Sequence, residues 1–301
     1  MLTGGLEQKF DFQIIKNSNL IISLFFHIIN MEKFTQKSNR NFWNEYAKKN
    51  KDDSKGAHSD KHLVELEDRF IESILKTKKP STLLDIGCGN GQRTIRFSRF
   101  VKDKTVGVDY SENMIKECNL SLLKQKKNIQ KKFLFNRLDA KMINKLNSFD
   151  VIISCRCLVN QNSSKKQVEL FKLIHSKLKK NGSLIIAEGS EEGLQKLNSL
   201  RKIFGLKKIN VPWHNLPISE KYVLPKISKL FKIKQISRLG TFFFLSRVIH
   251  PAIVYPNNPN ANTIINQISL KAEILLDKKN ANFTELLENY GSHLLIHFIK
   301  K

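Results

Sequence analysis

The stretch Leu83-Leu84-Asp85-Ile86-Gly87-Cys88-Gly89-Asn90-Gly91-Gln92 decides the fold. Thr82 to Ile86 is a short apolar run of the kind that makes a buried strand, and helical spacing returns from Arg93 onward, so the segment reads strand, turn, helix. Three glycines in five positions turn the backbone tightly and let a ligand come close to it. That ligand would sit at the N-terminus of a helix and at the carboxyl end of a parallel strand, where open α/β sheets hold small molecules. A dinucleotide site would read G-x-G-x-x-G. Here the third glycine comes one residue early, and Asp85 adds a carboxylate that suits a cationic ligand better than a pyrophosphate.

Three more segments extend the pattern. Thr105-Val106-Gly107-Val108-Asp109 is a second apolar run ending in an acid, and Phe133-Leu134-Phe135 leads through Asn136-Arg137-Leu138 to Asp139-Ala140. Phe149-Asp150-Val151-Ile152-Ile153-Ser154 makes a fourth run. Asp-x-Gly-x-Gly-x-Gly followed in order by these acids resembles the class I S-adenosylmethionine (AdoMet) methyltransferases. The resemblance implies an α/β fold: a Rossmann-like seven-stranded, mostly parallel sheet with helices on both faces and an antiparallel last strand. It also implies AdoMet as cofactor, held by Asp85 and the backbone of Gly87, Gly89 and Gly91, with Asp109 on the ribose hydroxyls and Asp139 on the adenine amino group. A carboxylate suits the ribose because it accepts from both hydroxyls of a diol. Tyr110, Met114, Ala140 and Cys155 complete the implied cofactor site. A nicotinamide-binding domain and a non-catalytic relative are the competing readings.

Composition bounds the rest. A chain of 301 residues suits one α/β domain with decorations, and 41% hydrophobic residues can bury a core. The formal charge of +25 would ordinarily point to nucleic acid or an anionic surface. Only 10 of the 52 basic residues are Arg, however, and the lysines are scattered as KK and KxK over many helix faces. Abundant Lys, Ile and Asn are what an AT-rich coding sequence produces, so the charge is a weak argument for a nucleic-acid partner. Cys88, Cys118, Cys155 and Cys157 form no paired framework, which fits a reducing cytoplasm. Cys155-Arg156-Cys157 is spaced too closely for a redox pair or a zinc knuckle, and no metal is expected.

Residues 1–30 do not match the rest of the chain. Leu20 to Ile29 is too short to span a bilayer and lacks a signal-peptide cleavage site. We read 1–30 as an extension ahead of a start at Met31, with a membrane-surface anchor as the alternative. Residues 31–79 read as N-terminal helices, with Trp43 and Tyr46 either a lid over the cofactor or an ordinary aromatic stripe, and Lys48 to Lys55 as a loop. Leu63, Leu66, Phe70, Ile71 and Leu75 predict a helix over about 60–77. Ser111 caps a helix expected over about 112–126, with Glu112 in its first turn. Val168 to Leu178 mark a helix ended by Asn181-Gly182, and Ser183 to Glu188 a fifth strand. A helix capped by Ser190 comes next, then the loop Val211 to Pro217. Phe231 to Ile236 and His293 to Phe298 are the expected sixth and seventh strands. The domain thus runs over 80–301, with an insertion at about 239–290 expected on the rim above the active site as a substrate-shaping cap. Within it, Phe242 to Ile253 fits strand or helix, and Ala261 to Leu276 reads as helix.

Methyl transfer from a sulfonium is an in-line displacement, in which positioning supplies much of the rate. The acceptor belongs beyond the ends of the fourth and fifth strands, which selects Ser154 to Asn160 and Glu188-Gly189-Ser190. Arg156 is placed to clamp a carboxylate or phosphate, or else to pair with Glu188 or Asp150. His214 is the candidate base or acceptor-orienting group, because it sits in a proline-stiffened loop near the functional edge and titrates near neutrality. Glu188 is the next. No Asn-Pro-Pro-Tyr or Asp-Pro-Pro-Tyr follows the fourth strand, which argues against methylation of a nucleic-acid base. The run through Arg156, Asn160, Glu188, Arg201 and Pro212-Trp213-His214-Asn215 resembles a bacterial subgroup that modifies surface polysaccharides and small metabolites. It implies a small-molecule acceptor, a sugar or a nucleotide-linked sugar among the options, touched by Arg156, Asn160, Arg201, Trp213, Asn215 and Tyr46. An RNA-directed methyltransferase and a non-catalytic AdoMet-binding partner subunit stay open as other readings. The oligomeric state has no sequence signature.

Overall fold

The computed structural model describes residues 35–49, 60–279 and 287–301. The extension at 1–30, the Met31 start, most of the 48–55 loop and part of the insertion lie outside these residues.

Seven strands form one sheet: β1 (Thr82–Ile86), β2 (Lys104–Asp109), β3 (Phe133–Arg137), β4 (Phe149–Cys155), β5 (Leu178–Gly189), β6 (Phe231–Ser237) and β7 (His293–Lys300). Their order is β3-β2-β1-β4-β5-β7-β6, and only β7 runs antiparallel to its neighbours. The central strands are apolar on both sides because helices cover both faces. Alternation divides each strand between two cores: Leu84, Val106 and Ile152 join Phe171 and Ile174 on one face, while Leu83, Val151 and Ile185 join Phe70, Ile71 and Phe97 on the other.

Helix α1 (Gln36–Lys49) precedes α2 (Lys61–Lys78), whose first amides are capped by Asp60 through His62 and Leu63. Lys79 closes α2 in the left-handed region, and Pro80 then leads into β1. Helix α3 (Gln92–Phe97) follows the glycine turn, and α4 (Glu112–Leu123) follows β2, capped by Ser111 as expected but three residues shorter. Helix α5 (Ser164–Lys177) stops earlier than Asn181-Gly182. Leu178 already pairs with Phe149, so β4 captures the chain and Asn181 takes a φ of 58° inside β5 rather than at a helix end. Helices α6 (Glu191–Ile203) and α7 (Glu220–Ile227) lead to β6.

The insertion is helical. It runs through α8 (Gly240–Phe244), a π turn at Leu245–Ile249, α9 (His250–Val254) and α10 (Ile264–Lys279). Phe242, Phe243, Val248 and Leu270 pack with Leu63, Leu66 and Phe70, and Arg247 reaches the Asp60 cap. The insertion therefore buttresses α2 from the side. None of its described residues lines the cavity at the carboxyl ends of β1, β2 and β4, so the expected cap over the active site is not where these helices lie. Among the described residues no helix is long and apolar enough to cross a membrane.

Candidate active site

The cavity at the ends of β1, β2 and β4 opens under α1. The glycine turn forms one wall. The amides of Gly87 and Cys88 donate to the Val108 carbonyl at 2.8 and 3.1 Å, which ties the turn to β2. Gly89 has a φ of 56° and lines the cavity, and a Cβ placed on it would meet no protein atom within 4 Å. The space beside Gly89 is open, and a chain could lie along the backbone there. Gly91 serves the fold instead. It lies off the cavity wall, and a Cβ there would come within 2.8 Å of Cys118 Sγ. The other nine residues expected at the cofactor all line the cavity.

Three acids stand along this wall. Asp85 accepts from Thr94 Oγ1 at 2.6 Å, and its burial raises its pKa. Asp109 accepts from the Gly89 amide (3.1 Å) and the Ser111 amide (2.8 Å). Burial nevertheless pushes Asp109 up to about 6, since two amide bonds do not replace the water a carboxylate loses. Asp139 accepts from the Lys141 amide at 3.0 Å and stands 3.7 Å from Arg40 of α1. Burial also raises the Tyr110 phenol.

The opposite wall is α1 and the loop after β4. Asn39 Nδ2 donates to the Asn160 carbonyl (3.2 Å), and Trp43 Nε1 donates to Asn160 Oδ1 (3.2 Å). Tyr46, Arg156 and Asn160, expected at the acceptor, line the cavity. The ion partner of Arg156 is neither Asp150 nor Glu188. It is Glu67 of α2, at 3.1 Å from Nη2. Asp150 lies at the far end of β4, bonded to Thr82 and Lys179.

The remaining expected residues stand behind the wall. Glu188 is fully buried and accepts from Ser154 Oγ and from the amides of Cys157, Leu158 and Val159 at 2.9 to 3.2 Å. Burial raises it to about 7 against those bonds, and it holds the loop after β4 in shape. His214 stacks on Phe42 of α1 at 4.1 Å, with Trp43 and Trp213 edge-on at 5.6 and 5.4 Å. Its backbone carbonyl accepts from Asn39, and burial lowers its pKa. His214, Trp213 and Asn215 thus belong to the loop under α1 and do not line the cavity. Arg201 donates to the carbonyls of Lys207 and Arg247 and ties α6 to the insertion.

Among the wall residues not singled out from sequence are Asn39, Arg40, Arg93 and Gln161. Behind them lies Glu67, which is fully buried and surrounded by Arg93 (3.0 Å), Arg156 (3.1 Å) and His293 (2.9 Å). Burial works to raise its pKa, but Arg156 and Arg93 outweigh that and hold it below the ordinary carboxylate range. Its signal was present in α2, where Leu63, Glu67, Phe70 and Ile74 share one face and a carboxylate interrupts the apolar stripe.

Comparison with known proteins agrees with this architecture. A family model described as a methyltransferase domain matches residues 77–235, more than half of the chain. The protein belongs to that family and is a class I AdoMet-dependent methyltransferase. No curated protein sequence matches it. Among solved structures, magnesium protoporphyrin IX methyltransferase from Synechocystis with bound AdoMet is similar over 87% of this chain and 95% of its own, at 11% identity and a TM-score of 0.50. The [4+2]-cyclase SpnF aligns over 77% and 81% at 15% identity, TM-score 0.49. The N-methyltransferase NodS from Bradyrhizobium japonicum, in complex with S-adenosylhomocysteine, aligns over 82% and 94% at 11% identity, TM-score 0.48. At these identities the likeness is one of fold.

Proposed function

We propose that this methyltransferase methylates a hydroxyl of a small polar molecule, of the sugar or sugar-linked class used in surface polysaccharides. The observation that carries this reading is the chemistry of the wall facing the glycine turn. Gln161 is buried at that wall, and its Oε1 has no hydrogen-bond partner in the protein, so it awaits a donor such as a hydroxyl. Asn39 and Asn160 add amide groups, while Trp43 and Tyr46 add aromatic surface. Neutral amides beside aromatic rings suit a polyhydroxylated ligand. No lysine lines the cavity among the described residues, which gives an RNA backbone little to hold there.

The donor set fits AdoMet. Asp109 would accept from the ribose hydroxyls, Asp139 and Ala140 would face the adenine, and the open backbone at Gly89 would lie along the methionine chain. When bound, AdoMet supplies an electrophilic methyl group on a sulfonium. The protein's own contribution is to orient: Asn160 is held by Asn39 and Trp43, and the loop after β4 is held by Glu188. With His214 and Glu188 both behind the wall, we assign them to shaping the acceptor site, and the rate to positioning.

The test is transfer of labelled methyl from AdoMet into a cell extract divided into small molecules, RNA and protein. Label should enter the polar small-molecule fraction. Label confined to RNA would refute the acceptor class, and label in protein would do so as well.

A further inference from the structure

We infer that Arg156, through Nη1, seats the α-carboxylate of the cofactor rather than an anionic group of the acceptor. This rests on the AdoMet reading of the cavity and adds a residue role to it. Three cations line the cavity among the described residues: Arg40, Arg93 and Arg156. Arg40 stands at the adenine end, beside Asp139 and over the Tyr110 ring. Every guanidinium nitrogen of Arg93 stands close to a carboxylate: Nε donates to Asp68 at 2.8 Å, Nη1 lies 3.0 Å from Glu67, and Nη2, although it makes no hydrogen bond, lies 2.7 Å from Asp68. Arg156 is different. Its Nη2 is tied to Glu67, but its Nη1 is buried and has no hydrogen-bond partner.

Its position points the same way. Ser154 pairs with Ile86 across β4 and β1, so Arg156 follows two residues later beside the glycine turn, and Cys157 packs directly against Gly87. With the ribose acid at Asp109 and the adenine acid at Asp139, the turn is the end of the cavity left for the methionine chain. Arg156 is also held in the left-handed region at a φ of 54°, a conformation unfavourable for a residue with a side chain. Its amide donates to the Ala187 carbonyl (2.9 Å), and its carbonyl accepts from Asn160 Nδ2 (2.7 Å). Such backbone strain is retained where the fold over-determines it, and here the result is one guanidinium nitrogen left for a ligand oxygen. A carboxylate is the group that a free guanidinium N–H in a buried site recognises best. The acceptor then does not draw on Arg156, which agrees with a neutral, hydroxylated molecule.

The experiment is calorimetric binding of two ligands to the full chain: S-adenosylhomocysteine, and S-adenosyl-3-thiopropylamine, which lacks only the carboxylate. The wild type should prefer S-adenosylhomocysteine by roughly 10- to 100-fold, the scale of a charge-assisted hydrogen bond. In Arg156→Met that preference should fall to within about threefold, with the affinity for the thiopropylamine unchanged on the same scale. Arg156→Lys keeps the charge beside Glu67 and guards against misfolding, and it should show an intermediate preference. A wild type indifferent to the carboxylate would overturn the assignment. So would either variant that keeps the full preference, which would return Arg156 to the acceptor. A wild type that binds neither ligand would instead refute the cofactor reading on which this rests.

Discussion

Two carboxylates, one on the cavity wall and one buried behind it, show how opposite surroundings make opposite parts. Asp109 is held by backbone amides alone, sits near pKa 6 and faces open space. Glu67 is held by Arg93, Arg156 and His293, titrates below the ordinary range and faces only protein. An acid with neutral donors and spare lone pairs is unstable until a ligand donates to it. An acid enclosed by cations is already satisfied, and its role is to fix the guanidinium groups around it. Glu67 is fully buried and Asp109 only partly so, but desolvation works to raise both; the partners decide which is held low and which stays high.

The largest effect should come from breaking the enclosed acid. Glu67→Gln leaves two arginines facing a neutral amide in the interior, and urea unfolding should show a loss of about 3 to 5 kcal/mol. A loss below about 1 kcal/mol would mean that solvent reaches the cluster and that the contrast fails. Asp109→Asn should act on the ligand instead, weakening S-adenosylhomocysteine by about 1.5 to 3 kcal/mol in calorimetry with little change in unfolding.

The same contrast has a pH signature of opposite sign. Folding raises Asp109 from its ordinary 3.8 to about 6, so the folded protein holds a proton that the unfolded chain has released between those values. Its contribution to stability therefore falls as pH rises through that window, and Glu188, raised from 4.5 to about 7, acts likewise. Glu67 is lowered, so its contribution is complete above 4.5 and is lost as pH falls toward its folded pKa. In the proposed cofactor site the ribose would need Asp109 ionised. Affinity for S-adenosylhomocysteine should rise up to about tenfold between about pH 5 and 7, and Asp109→Asn should flatten that rise. A wild-type affinity independent of pH would show that Asp109 is not the ribose acceptor.

Smaller effects separate the two walls further. His214→Ala removes a ring stacked on Phe42, and amide exchange in Gln36–Lys49 should quicken while S-adenosylhomocysteine affinity stays within about threefold and turnover within about tenfold. A 100-fold loss of turnover with α1 still protected would make His214 the general base after all. At the bottom of the scale, Arg69→Ala breaks an exposed pair with Glu65 on the outer face of α2, and thermal unfolding should register less than about 0.5 kcal/mol.

Much of the cofactor wall was legible before any coordinates. Asp85, Asp109 and Asp139 each belong to an apolar run or its end, and a strand end is a local property that carries the acid to one edge of a parallel sheet. The opposite wall was legible only in part. Tyr46 and Asn160 line that wall, Gln161 and Asn39 sit far apart in the chain with no local mark, and His214, which carried a strong local mark, stacks on Phe42 rather than lining the cavity. A flanking tryptophan and two prolines say that a loop is stiff and leave open what it packs on.

The sequence by itself determined the order of the strands' apolar runs, the turn that only glycine can make beside an open space, and the acids that follow it. These depend on interactions within a few residues, so spacing suffices to read them. Only the tertiary structure decided which charges meet. Glu67 of α2, Arg93 of α3, Arg156 after β4 and His293 of β7 come together because four separate elements converge at one sheet edge. In a low-dielectric interior the position of each partner, rather than its residue type, sets whether a carboxylate is a ligand for something else or a support for its neighbours.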